Sequence, residues 1–160
     1  MMRKETLKEL YHEMRQRIRI IIQLLGKPEP DKANPLPEGN SFNTISNLIN
    51  SIMSSAQFEP ENQYKDAIIE IISWLNAAFH KEYLNTNKAC FPNPIFAIKK
   101  GAEILHSFFH RDLRRKQMSS EEHEIYRNYM QLIRNLPDPQ KNKLNQNEAD
   151  NMIDDLLKSS

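Results

Sequence analysis

Valine is absent from this chain, and only three glycines and one tryptophan occur among its 160 residues. A sheet-rich fold would lack a favoured β-branched residue and much of its turn chemistry. Isoleucine and strong helix formers are plentiful, so the composition argues for an all-α protein. The single cysteine, Cys90, excludes an internal disulfide and suits a reducing, cytoplasmic setting. No apolar run approaches the ~18 residues of a membrane-spanning helix, and the opening MMRKETLKELYHEM lacks the apolar core of a signal peptide. Charge of neither sign dominates: 22 Lys and Arg against 21 Asp and Glu leave a net +1. A charged binding surface therefore requires segregation of the two signs.

Catalytic signatures are missing too. The sequence contains no G-x-S-x-G, no P-loop and no G-x-G-x-x-G, and three glycines are too few for a phosphate cradle. Cys90 lies in NKACFPN, with neither a glycine-rich oxyanion loop nor a helix start immediately after it, although His80, His106, His110 and His123 are available as bases. Metal ligands are suggested by Glu9-x-x-His12 and by Glu103, His106 and His110, with Glu70 and Glu124 as further carboxylates of a di-iron-type bundle. Such ligands must point into the bundle, whereas Glu9, His12 and Glu103 lie away from their helices' apolar stripes. The reading is thus of no enzyme, no metal and no cofactor.

What is present is helical periodicity. The stretch YKDAIIEIISWLNAAFHKEYL, Tyr64 to Leu84, reads as one central helix opened by Pro60-Glu61. Its apolar arc of roughly 220° is about twice what a surface helix needs, so it must touch at least two neighbours. Ile68, Ile72, Trp74, Leu75 and Phe79 are its expected core residues. Before it, Lys4 to Leu25 carries a stripe of Leu7, Leu10, Tyr11, Met14, Ile18, Ile21, Ile22 and Leu25, and stops at Gly26 and Pro28. The Pro-rich stretch 26–40 reads as a stiffened surface loop. A second helix, capped by Asn40 or Ser41, reaches about Gln57 on a stripe of Phe42, Ile45, Leu48, Ile49, Ile52 and Ala56. A fourth runs from Pro94 to Lys116 or Gln117 with Ile98, Ala102, Leu105, Phe108, Phe109 and Leu113 inward, and Gly101 marks a close helix approach. Ser119 and Glu122 form a capping box for a fifth, with Ile125, Tyr129, Leu132, Ile133 and Leu136 inward and a stop at Pro137. The expected fold is a single all-α bundle of five to six helices over residues 1–136. A polar, acidic tail follows at 137–160, where Met152, Ile153, Leu156 and Leu157 form a short amphipathic segment.

Two surfaces carry the functional expectations. The second helix shows an uncharged outer face of Asn43, Asn47, Asn50 and Ser54, and no charged residue occurs between Gly39 and Phe58. Helix surfaces in water usually carry charge, so this face reads as a contact for a protein partner, including a second copy of the chain as a homodimer. The alternative is a basic stripe: Lys100, Arg111 and Arg114, with Arg115 and Lys116 continuing it, aligned on a long fourth helix to meet anionic phosphoinositide headgroups. Phe91 beside Pro92 would be its membrane-inserting tip. Lys8, Arg15 and Arg19 would enlarge it if the first and fourth helices lie side by side. Cations in a last helical turn also suit the helix dipole without any ligand. Neither a helix-turn-helix signature nor an aromatic stacking platform is present, which argues against nucleic acid.

The C-terminal NEADNMIDDLLKSS resembles the acidic, polar C-terminal signals of type IV secretion effectors from intracellular bacteria, with apolar residues near the end. The resemblance covers under a tenth of the chain. It implies export into a host cell without a cleaved signal peptide, and work there on host proteins or membranes.

Overall fold

Among the described residues of the computed structural model six helices run in sequence: α1 Lys4–Leu25, α2 Asn40–Ala56, α3 Gln63–Ala78, α4 Lys81–Thr86, α5 Pro94–Phe109 and α6 Ser120–Arg134. The structure describes residues 4–112, 114–115 and 117–139. Leu113, Lys116 and the amphipathic tail segment with Met152 and Leu156 lie outside them. Among the described residues there is no strand, and the helices make one all-α bundle.

α3 is the centre of it. It packs on both α2 and α5, and α1 packs on α2 and α5 in turn. Tyr64, Ile68, Ile71, Ile72 and Leu75 are fully buried between these neighbours, as its wide apolar arc requires. Trp74 is not part of that core. It is half-buried at the edge, and its ring meets Tyr129 of α6 edge-on at 6.5 Å.

The expected single helix over Tyr64 to Leu84 is two. Phe79 leaves helical geometry (φ −80°, ψ 69°) while its N–H still bonds to the Leu75 carbonyl. Its ring stacks on Phe42 of α2 at 4.4 Å. That aromatic contact draws residue 79 out of register, and α4 restarts two residues later. Nor does Pro60 sit in the first turn of α3. Asn62 is the N-cap, accepting from the Lys65 N–H at 3.0 Å. At α2 neither Asn40 nor Ser41 caps: Gly39 holds that place with φ 51° and no side-chain bond.

α1 and α5 are antiparallel, and each ends on a cation from the other. Arg15 of α1 donates from Nη1 to the Phe109 carbonyl at 2.8 Å, while Lys99 of α5 donates to the Gly26 carbonyl just past α1. Arg111 takes the Phe108 carbonyl at 2.8 Å. With its last carbonyls satisfied by arginines, α5 stops at Phe109, well short of the expected Lys116 or Gln117.

α6 begins at the expected capping box: Ser119 accepts from the Glu122 N–H, and the Glu122 carboxylate accepts from the Ser119 N–H. Tyr129 and Ile133 are buried, but Ile125 is 41% exposed. Gly101 permits the close approach of α5 and α6. A Cβ there would strike the Tyr129 hydroxyl, lie 2.9 Å from its Cζ and lie 3.0 Å from Leu75 Cδ2. Tyr129 cannot easily retreat, since it is buried and donates to the Ala97 carbonyl at 2.7 Å. Overpacking costs ~1–3 kcal/mol and a helical Gly→Ala returns up to ~1. Gly101→Ala is therefore expected to lose about 1–2 kcal/mol in urea unfolding. Tyr129→Phe should cost less in that background than in the wild type, because it removes the clashing hydroxyl. A Gly101→Ala protein more stable than wild type would show that the contact is looser than drawn.

Candidate interaction surfaces

The outer face of α2 survives as expected. Phe42, Ile45, Ile49 and Ile52 are buried against α1 and α3. Asn43, Asn47, Asn50 and Ser54 point the other way and are all exposed. No charged side chain interrupts the helix. Its amides are both donors and acceptors, so they lose less on desolvation than a carboxylate or ammonium would.

The basic stripe does not form. Because α5 ends at Phe109, Arg111 and Arg114 share no helical face with Lys100, which alone stays exposed on α5. Arg111 turns inward. Its side chain is 4% exposed and pairs with Glu59, whose side chain is fully buried in the α2–α3 turn. Its guanidinium lies 4.0 Å from the centre of the Tyr64 ring and 5.3 Å from that of Tyr11. Tyr11 donates to Glu59 in turn, and Arg111 Nη2 approaches the Tyr11 hydroxyl at 3.1 Å. Burial pushes the Glu59 carboxyl above the usual carboxylate range, with Arg111 pulling it back. This is a latch between α1, the α2–α3 turn and the segment after α5, closed off from solvent. Arg114 chelates Asp112 at 2.9 Å and Arg115 reaches Glu122 at 3.0 Å. Glu122 also accepts from the Tyr64 hydroxyl at 2.8 Å, and the Ser119 cap and Arg115 hold its carboxyl below its ordinary pKa despite burial. Phe91 is 71% exposed on the loop before α5.

Other cations do gather. With α1 and α5 antiparallel, Arg15 and Arg19 come beside His106 and His110. Arg19 Nε donates to His106 Nε2 at 3.2 Å, and the two imidazoles stack at 6.3 Å. A guanidinium can only donate, so Nε2 must be the accepting nitrogen and His106 is neutral with its proton on Nδ1. Partial burial, then Arg19, His110 and Arg15, lower the His106 pKa.

A cleft of about 540 Å³ opens between the Pro-rich loop and α4, with Leu36, Leu84 and Ile95 as its apolar part and Lys81 and Lys88 at its sides. The loop is built rather than loose: Asn34 bonds to the Glu29 N–H and carbonyl, and the Asn93 N–H bonds to the Pro30 carbonyl at 2.8 Å. No nucleophile–base pair is brought together there. Cys90, half-buried, contacts Asn87 at 3.7 Å. Glu9, His12 and Glu103 are exposed, and among the described residues no three His, Cys, Asp or Glu converge to hold a metal ion. No described helix is long and apolar enough to cross a membrane.

No family model, no curated protein and no solved structure matches this chain.

Proposed function

We propose that the protein is a non-catalytic interaction module that seats a protein partner on the outer face of α2. One observation carries this reading: Asn43, Asn47, Asn50 and Ser54 form an exposed helix face with no charge along its length. The centres of protein interfaces are depleted in charged residues, because an unpaired charge is costly to desolvate. Amide groups can be desolvated and re-bonded at far smaller cost, and the fitting partner presents an uncharged, hydrogen-bonding surface. A second copy of the same face meets that description, since an amide complements itself and meets no like-charge repulsion.

Asn47→Arg places a charge in the middle of this face without touching the core. Light scattering and pulldown should show that it abolishes partner capture, or dissociates a homodimer, at an unchanged melting temperature. Lys100→Glu, on α5, should leave both intact. Identical capture and mass for wild type and Asn47→Arg would overturn the reading, as would turnover of a substrate by the isolated monomer.

A further inference from the structure

The α1–α5 groove holds cations that the fold leaves unbalanced. Six side chains lie along it: His12, Arg15 and Arg19 on α1, Lys99 and His106 on α5, and His110 just past its end. Elsewhere Arg17 meets Glu13, Arg114 meets Asp112 and Arg115 meets Glu122, while Arg127 and Arg134 on α6 are exposed with no carboxylate partner among the described residues. Among the described residues Arg15 and Arg19 pair with none. Arg15 is spent in part on the Phe109 carbonyl, which accounts for its position but leaves its charge uncompensated. Arg19 has no structural task beyond a bond to a neutral imidazole, a weak partner for a guanidinium. On α1 the carboxylates with a described side chain, Glu9 and Glu13, are exposed and bond to neither Arg15 nor Arg19. On α5 the nearest is Glu103, exposed one turn before His106. His12 is occupied with Gln16 at 3.1 Å, and Lys99 with Gly26.

We infer that this groove is a phosphate-binding site, taking a phosphomonoester carried on a polyphosphorylated headgroup. A guanidinium fork matches phosphate oxygens in pairs, and two guanidiniums beside two imidazoles supply the donors that an oxyanion needs. Arg19 exchanges His106 for the anion when the ligand enters, and the freed imidazole becomes a further donor through protonation at Nε2. The site draws its side chains from α1, α5 and the position just past α5, and shares no residue with the α2 face. Such a phosphate occurs on soluble inositol phosphates and on phosphoinositide lipids, which present the same group.

Calorimetric titration with inositol hexakisphosphate, and flotation with phosphatidylcholine vesicles containing phosphatidylinositol bisphosphate, separate the two sources. The wild type should bind in at least one arm at low salt. Binding to the soluble headgroup assigns a free ligand, and binding to vesicles alone assigns the lipid. Arg19→Gln should weaken it about tenfold or more, equivalent to ~1.4 kcal/mol. His110→Gln should weaken it as well, both at an unchanged melting temperature. Arg114→Gln removes the same charge outside the groove and should bind as wild type. Absence of binding in both arms overturns the site. Equal weakening by Arg114→Gln and Arg19→Gln also overturns it, by reducing the effect to net charge.

Discussion

Arg111→Ala is expected to lower the unfolding free energy by about 3–5 kcal/mol, the range for removing one member of a buried ion pair. Glu59 would remain fully buried with only the Tyr11 hydroxyl and lesser neighbours to offset its charge. The Phe108 carbonyl would lose its side-chain donor, and the Tyr64 and Tyr11 rings the cation beside them. The loss should be larger than for Arg114→Ala, whose pair with Asp112 lies at the surface and is worth ~0–1 kcal/mol. Guanidinium denaturation of the two variants checks the contrast, and equal stabilities would show that the latch contributes nothing. Glu59→Gln in the same assay reads the carboxyl directly. A folded-state pKa above the unfolded one means stability fully present below the unfolded value and lost as pH rises through the folded one. The wild type should therefore lose ground to Glu59→Gln as pH climbs from the ordinary carboxylate range upward. A difference that does not vary with pH would place Glu59 in no shifted state.

That latch could not be read from the sequence. Glu59 and Arg111 are 52 positions apart, and periodicity reports only on neighbours within a few turns. RDLRRK looks like the end of a helix because arginine, leucine and lysine are good helix formers. Neither glycine nor proline marks the stop at Phe109; tertiary bonds from Arg15 and Arg111 make it. The break at Phe79 was hidden for the same reason, since a stacking contact with Phe42 causes it and no local residue type signals it. Local chemistry, by contrast, was legible. The Ser119–Glu122 box, the ends of α1 and the buried stripe of α2 follow from spacing and capping alone. The uncharged face of α2 was visible because one helix carries all of it. The cationic groove was visible only in halves, Arg15 and Arg19 in one helix and His106 and His110 in another. Which helices lie side by side is decided by packing, and the antiparallel pairing of α1 and α5 is what joins the halves.

The same distinction sets the second large effect. Ile72→Ala should destabilise by about 2–5 kcal/mol, the span for truncating a buried isoleucine to alanine. Ile72 is fully buried on α3, the helix that packs against both α2 and α5. Truncation there removes three carbons from the middle of the bundle, and rigid helices on two sides limit how far the cavity can collapse. Tyr64 and Phe108, edge-on at 5.7 Å, and the Phe42–Phe79 stack brace the two interfaces of that helix and resist adjustment. Ile125→Ala is the natural contrast: the same change on the exposed side of α6 should stay within ~0.5 kcal/mol. Urea unfolding followed by circular dichroism should show a lower midpoint for Ile72→Ala at an unchanged slope, the mark of lost native stability with the same surface exposed on unfolding. Midpoints that coincide for Ile72→Ala and Ile125→Ala would remove α3 from the centre of the bundle.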